Sequence, residues 1–393
     1  MKNPTLIALL LTATQAACTT LADGVPGGGD DGDGPCATGT LYAGDPTYAG
    51  SDAPSPTGSP LRGGAPVAWR DVVFAGGAVY THTGEEIWAA ELGAADPQLR
   101  RIVGQRQDGL PQFAAGPCAS ARLANTSGLV VAADGSLIVT DHNANGVVRI
   151  SDPMGAACTV AYLAGNATAG AIRPDEPPHV GLDDGTGAGA TFALPGKPAQ
   201  GEGGTTYVLD HENFAVRAIS PAGAVSTVPF TFVEPIDQWN DLAVRGGKLY
   251  LVGVHVGSGT SYVVEVDPGT GAYRTLVAGT GEAYPPADPS RSAVISTITT
   301  DGDRLFIAGS SRIWQVGLDG HLTHAAGGYD INELTDFPLR GYDPSATYPA
   351  RELALKHDIA DARFAQFLSW HDGALYWSAR ATSRYVVEIG CAR

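Results

Sequence analysis

Two dipeptides, Asp141-His142 and Asp210-His211, are the first residues in this chain whose types and spacing could do chemistry. Each stands directly after a short apolar run, Leu137 to Thr140 in one case and Tyr207 to Leu209 in the other. An imidazole beside a carboxylate can ligate a divalent metal or shuttle a proton, and Glu212 adds a further carboxylate to the second pair. Two more histidines, His179 and His357, lie in long insertions. Four imidazoles brought together with Glu212 or an Asp would make a site for zinc or another divalent ion. No HExxH-type spacing accompanies them. An Asp at the end of a strand also serves as acceptor for the turn that follows. Convergence therefore depends on the elements that carry the dipeptides.

The segment from Ala119 to Gly165 shows what those elements are. Four short apolar runs, Gly128 to Ala132, Leu137 to Thr140, Val147 to Ile150 and Thr159 to Ala164, are separated by Gly, Asp, Asn and Pro. That is the signature of strands joined by tight turns. Asp134-Gly135 and Asn145-Gly146 supply residues that reverse the chain easily. A lone four-stranded sheet leaves both faces open, so copies must stack on it. Closing strands ending in a small residue and Gly recur at Leu41 to Gly44, Arg101 to Gly104, Tyr162 to Gly165, Leu276 to Gly279 and Thr323 to Gly327, with Val225 to Phe230 a divergent member. Second strands recur at Val79, Leu137, Thr206, Leu249, Leu305 and Leu375. Both series count six, which predicts an all-β, six-bladed β-propeller of four-stranded blades.

The first closing strand has no unit before it, and the last unit stops after its third strand at Cys391. Each end supplies what the other lacks, so the N-terminal strand is expected to complete the last blade and close the ring, removing two open edges. Cys36 and Cys391 flank that junction, and a disulfide between them would fasten it. Cys118 and Cys158 pair by elimination.

The run Asp184-Gly185-Thr186-Gly187-Ala188-Gly189-Ala190-Thr191-Phe192, with Tyr207 to Asn213 and Val216 to Gly223, resembles the NHL-repeat family of propellers, secreted bacterial members especially. Ala121-Arg122-Leu123 with Val139-Thr140-Asp141, and Ala362-Arg363-Phe364, repeat parts of the pattern. The resemblance implies the propeller fold and often a binding role. It implies no single activity, because such propellers include protein-binding domains and metal-dependent enzymes.

Residues 1–18 read as a lipoprotein-type signal peptide: Lys2, an apolar run from Leu6 to Leu11, then Ala16-Ala17-Cys18, with Cys18 as the lipidated residue. Residues 19–35 read as a flexible, acidic, Gly-rich tether, and 36–393 as the propeller. An ordinary secretory signal is the alternative. Four cysteines remain for two disulfides, which fits export. With 52 Gly and 27 Pro and a formal charge of −17, the chain favours turns and opposes nucleic acid or anionic lipid as partners. Any membrane contact comes through the lipid anchor, and the chain is expected to be a monomer. No GxSxG elbow or phosphate loop is present.

The longest insertions, Asn166 to Leu182 and Gly328 to Asp361, emerge on the same face as the two dipeptides. Tyr329, Tyr342 and Tyr348 lie in or beside the second, and with Trp239 they are the loop aromatics that could stack on a sugar. His82 and His255 fall at other offsets of their strands and read as bland. The sequence thus points to a binding or scaffold module of the bacterial cell envelope that recognises a protein, peptide or glycan on its loop-bearing face. Its ligand-binding candidates are His142, His179, His211, Glu212, Tyr329, Tyr342, Tyr348 and His357. The alternative is a metal-dependent hydrolase or lyase using His142, His211, Asp141 and Asp210.

Overall fold

A computed structural model describes residues 35–44, 59–61, 69–105, 112–165, 170–171, 181–232, 235–279, 294–309, 312–327, 348–350, 353, 355, 366–379 and 385–391. Cys18, His179, Tyr329, Tyr342 and His357 lie outside them, as do the signal-like segment, nearly all of the tether and most of both long insertions. Tyr348 falls in a two-residue strand, Tyr348–Pro349.

The strands assemble as six antiparallel blade sheets and a separate two-stranded sheet of Gln112–Phe113 with Gly170–Ala171; blades 1 to 5 run from an inner strand outward in chain order. Blade 1 comprises Val72–Ala75, Ala78–His82, Glu86–Glu91 and Gln98–Gly104. Blade 2 comprises Thr126–Val131, Leu137–Asp141, Gly146–Ser151 and Thr159–Gly165. Blade 3 is Pro195–Gln200, Thr206–Asp210, Ala215–Ile219 and Ala224–Thr227. Blade 4 is Gln238–Arg245, Lys248–His255, Thr260–Val266 and Tyr273–Gly279. Blade 5 is Ile295–Thr300, Leu305–Gly309, Arg312–Val316 and Leu322–Ala326. Blade 6 takes Gln366–His371, Ala374–Ala379 and Tyr385–Cys391 from the C-terminal end and Cys36–Gly44 from the N-terminal end.

Closure therefore runs as the sequence predicts, with Cys36–Gly44 antiparallel to Tyr385–Cys391 and Cys36 opposite Cys391. Disulfides join Cys36 to Cys391 and Cys118 to Cys158. Blades 1, 2, 3 and 6 also gain a two-residue fifth strand at the outer edge, donated by an inter-blade connection. These short strands shield edges that would otherwise offer unpaired N–H and C=O groups.

The core is divided into six apolar clusters, one at each contact between neighbouring blades. A strand covered on both faces has no reason to alternate, and Leu137–Asp141 is buried at every position. The outer strand Thr159–Gly165 alternates exposed and buried at its start. That gradient explains why inner strands read as apolar runs while closing strands were found by their terminal glycine.

Candidate functional site

The turns after the second strands meet the starts of the inner strands on one face of the ring. His142 N–H donates to Asn125 O, Glu212 N–H to Ala193 O, and Val256 N–H to Asp237 Oδ1. His142 and His211 both lie here, their ring centroids 6.5 Å apart. His211 is buried and His142 half-buried. A Cβ at Gly196 would collide with His211 Nε2, so glycine is what lets the imidazole lie over the start of the blade 3 inner strand.

The two adjacent aspartates are turned inward. Asp141 is fully buried, and its carboxylate accepts the N–H groups of Ala124 at 2.7 Å, Asn125 at 3.0 Å and Ala144 at 3.1 Å. Asp210 accepts Ala193 N–H at 2.7 Å, Asn213 Nδ2 at 2.9 Å and Arg217 Nη1 at 3.0 Å. Burial pushes both carboxyls above the usual carboxylate range, against these donors. Among the described residues, no group of three or more His, Cys, Asp and Glu is arranged to hold a metal ion.

The repeat-like motif of blade 3 is a structural latch. Arg217, fully buried, donates to Asp210 and Thr191 O through Nη1, and to Asp184 and Asp183 O through Nη2. Its guanidinium lies 5.0 Å from the centre of the Phe192 ring. These contacts tie the approach to blade 3 onto its third strand.

Beneath this face, an ionic layer crosses the axis of the ring. The Lys197 ammonium, from the inner strand of blade 3, lies 3.1 Å from Asp71 Oδ1 and 3.2 Å from Asp241 Oδ2, and it reaches Leu368 O in the opposite blade at 3.5 Å. Both aspartates are buried. Asp71 Oδ2 accepts Leu129 N–H of blade 2, and Asp241 Oδ2 accepts Thr297 Oγ1–H and Ile298 N–H of blade 5. One lysine and two carboxylates thus touch all six inner strands. Burial opposes the charge on Lys197, but the two carboxylates outweigh it and hold the amine above its ordinary pKa. An amine held as ammonium is no nucleophile. Burial pushes Asp71 up as well, yet the Lys197 ammonium beside it brings the net shift down. At Asp241 burial outweighs Lys197, and the carboxyl is raised.

Sequence reasoning missed this layer, although a signal was present. Trp69-Arg70-Asp71 and Trp239-Asn240-Asp241 share a Trp-Xaa-Asp pattern in blades 1 and 4. Their middle residues do the same work: Arg70 Nη1 donates to Thr126 O and Asn240 Nδ2 to Ile295 O, both at 2.7 Å, where the next inner strand begins. Trp239 is accordingly buried in an inner strand and is not a loop aromatic.

His82 and His255 also need correction. They end the second strands of blades 1 and 4, the same end at which Asp141 and Asp210 stand. His255 pairs with Asp237 at 2.9 Å near the surface. His82 is wholly buried beside the axial layer. Thr126 Oγ1 donates to Gly84 O at 2.8 Å, so it accepts from His82 Nδ1–H at 2.7 Å. That leaves the lone pair of His82 Nε2 facing Asp71 Oδ2 at 3.7 Å. Burial draws the imidazole pKa down to about 4, against the pull of Asp71, and His82 is neutral at pH 7.

No protein-family model and no curated protein match this chain. Solved structures do resemble it. An auxiliary nutrient binding protein from Bacteroides thetaiotaomicron gives a TM-score of 0.55 at 10% identity, over 90% of this chain and 76% of its own. One from Bacteroides ovatus gives 0.53 at 11% identity, over 91% of this chain and 77% of its own. At such identities the likeness is one of fold.

Proposed function

We propose that this propeller is a binding module of the bacterial cell envelope, exported and anchored through lipid on Cys18, that captures a protein, peptide or glycan on the face bearing His142, His211 and Glu212. The axial layer carries the reading. Lys197, Asp71 and Asp241 are spent on one another and on the six inner strands, so the centre of the ring supports a closed floor beneath that face. The fourth strands of blades 2 and 5 end on this same face, at Gly165 and Ala326, where the longest inter-blade connections of the sequence begin. Two disulfides fit an oxidising compartment and hence export. The similar folds described as nutrient binding proteins are compatible with capture rather than turnover. The test is retention of envelope fractions, namely peptidoglycan, outer-membrane protein and lipopolysaccharide, on the immobilised protein. Saturable retention of one fraction is expected, reduced by His142→Ala/His211→Ala and untouched by Arg149→Ala, whose guanidinium bonds Asp134 and Pro221 O in turns of the opposite face. Equal retention by all three proteins sinks the proposal.

One observation favours a second reading, a metal-dependent hydrolase or lyase. The His142 and His211 rings stand 6.5 Å apart, near enough for one ion to be shared after modest adjustment. Elemental mass spectrometry after dialysis against zinc, manganese and calcium decides it. Near-stoichiometric metal that disappears with the double His variant supports this reading, and no bound metal rules it out.

A further inference from the structure

The turns that follow the second strands of blades 2 and 3 have the same form and end differently. Asp141-His142-Asn143-Ala144-Asn145 closes one, and Asp210-His211-Glu212-Asn213-Phe214 closes the other. Asn145 N–H donates to His142 O, and Phe214 N–H to His211 O. The last residue of each is left-handed, with φ 46° at Asn145 and 53° at Phe214. Asparagine tolerates that conformation and here uses it, because Asn145 Oδ1 accepts Leu194 N–H at 2.7 Å. A phenylalanine gains nothing of the kind.

Phe214 is also 46% exposed, and among the described side chains no other Phe, Tyr or Trp lies so open. Of the left-handed residues that are not glycine, Asn145, Asp152 and Asp372 belong to the tolerant types. The remaining two are Phe214, whose N–H donates to His211 O, and Leu194, next to Ala193, whose carbonyl accepts Glu212 N–H. An exposed ring on a left-handed backbone has no side-chain hydrogen bond to offset the strain, and such strain gathers where a ligand is held.

We infer that Phe214 and Glu212 form a contact site for the Lys or Arg side chain of an extended peptide, an inference that rests on this face being the binding face. Glu212 is exposed two residues before Phe214, and among the described residues nothing bonds its carboxylate. Leu182, 46% exposed, is drawn to the same corner because Asn213 Nδ2 donates to Gly181 O at 2.7 Å, and Asp183 beside it is exposed. A ring, an apolar neighbour and the free Glu212 carboxylate, with Asp183 beside them accepting only Thr191 Oγ1–H, match a long cationic side chain, whose stem lies on apolar surface while its head meets π-face and carboxylate. The chain's charge of −17 draws such a partner and repels an anionic one. A neutral sugar would use the ring and leave the carboxylates' charge without a role.

The experiment is calorimetric titration of the purified protein at low salt with acetyl-tetralysine amide, acetyl-tetraglutamine amide and cellotetraose. Binding of the tetralysine peptide alone is expected, weakened about 2–5-fold by Phe214→Ala and by Glu212→Gln and lost at high salt. Phe214→Asn keeps the fold by circular dichroism, raises the unfolding temperature and weakens peptide binding to the same degree. Tetralysine binding unchanged by both variants overturns the site, as does cellotetraose binding that depends on Phe214. An envelope fraction retained equally by wild type and both variants, with no tetralysine binding, overturns this site and leaves the binding face standing. No retention and no peptide binding overturns both.

Discussion

The axial layer and the corner between the second and third strands of blade 3 treat polar groups in opposite ways. At the axis, two buried carboxylates and a half-buried lysine are all engaged: Lys197 with Asp71 and Asp241, and the carboxylates with neighbouring backbone. At the corner, Glu212 and Phe214 are exposed and the backbone is strained. A buried charge is tolerable only when paired, so the axis is a place where sequence is dictated by the fold. A strained, exposed residue is retained against the fold's preference, so the corner is where function is read.

The largest expected break in that contrast comes from Lys197→Met. It strands two buried carboxylates, and the loss should be about 3–5 kcal/mol in denaturant unfolding at pH 7, shrinking as pH falls and the carboxylates protonate. A loss under about 1 kcal/mol would show that water already reaches the layer.

His82 gives the next effect, through pH. Its folded pKa is about 4 against an ordinary value of 6.5, so between those values the unfolded chain binds a proton that the folded chain refuses. Stability contributed by neutral His82 is therefore full above pH 6.5 and falls as pH drops toward 4, by about 3 kcal/mol in all. Unfolding measured across that window in wild type and His82→Gln should differ by this slope. Parallel profiles would mean that His82 titrates normally.

Gly128→Ala tests the floor from the other side. The added Cβ would lie 2.9 Å from Lys197 Cα and 2.7 Å from Pro198 Cδ, forcing two inner strands apart. A cost of about 2 kcal/mol is expected in thermal or chemical unfolding, and a neutral result would show the axis to be loosely packed.

The smallest effect has the opposite sign. Phe214→Asn should stabilise by about 1 kcal/mol, since Asn accepts the left-handed backbone that Phe resists. Differential scanning calorimetry showing lower stability would mean that the ring is packing, and the contrast between axis and rim would fail there.

The blade count, the ring closure and both disulfides were legible because each rests on local, repeated patterns: alternating strand and turn residues, a terminal glycine, and cysteines beside the missing strand. Asp141 and Asp210 were legible as turn residues, and the structure gives them that work. His82 was not legible, because its strand lacks the Asp-His ending of blades 2 and 3 and no local pattern marks which end of the strand the histidine occupies. Trp239 misled for the same reason, since register decides whether a residue faces the axis or the rim.

What the sequence determined by itself is therefore the repeat: which segments are strands, how many blades they form and how the ends meet. Those choices follow from backbone conformational preference and the burial of apolar runs, which act over a few residues at a time. What the tertiary structure alone decided is the meeting of Asp71, Lys197 and Asp241 on one axis and the exposure of Phe214 beside Glu212. Residues 71, 197 and 241 share no local pattern strong enough to announce a salt bridge. They meet because six similar blades, turned about one axis, bring the same strand position of each to the centre.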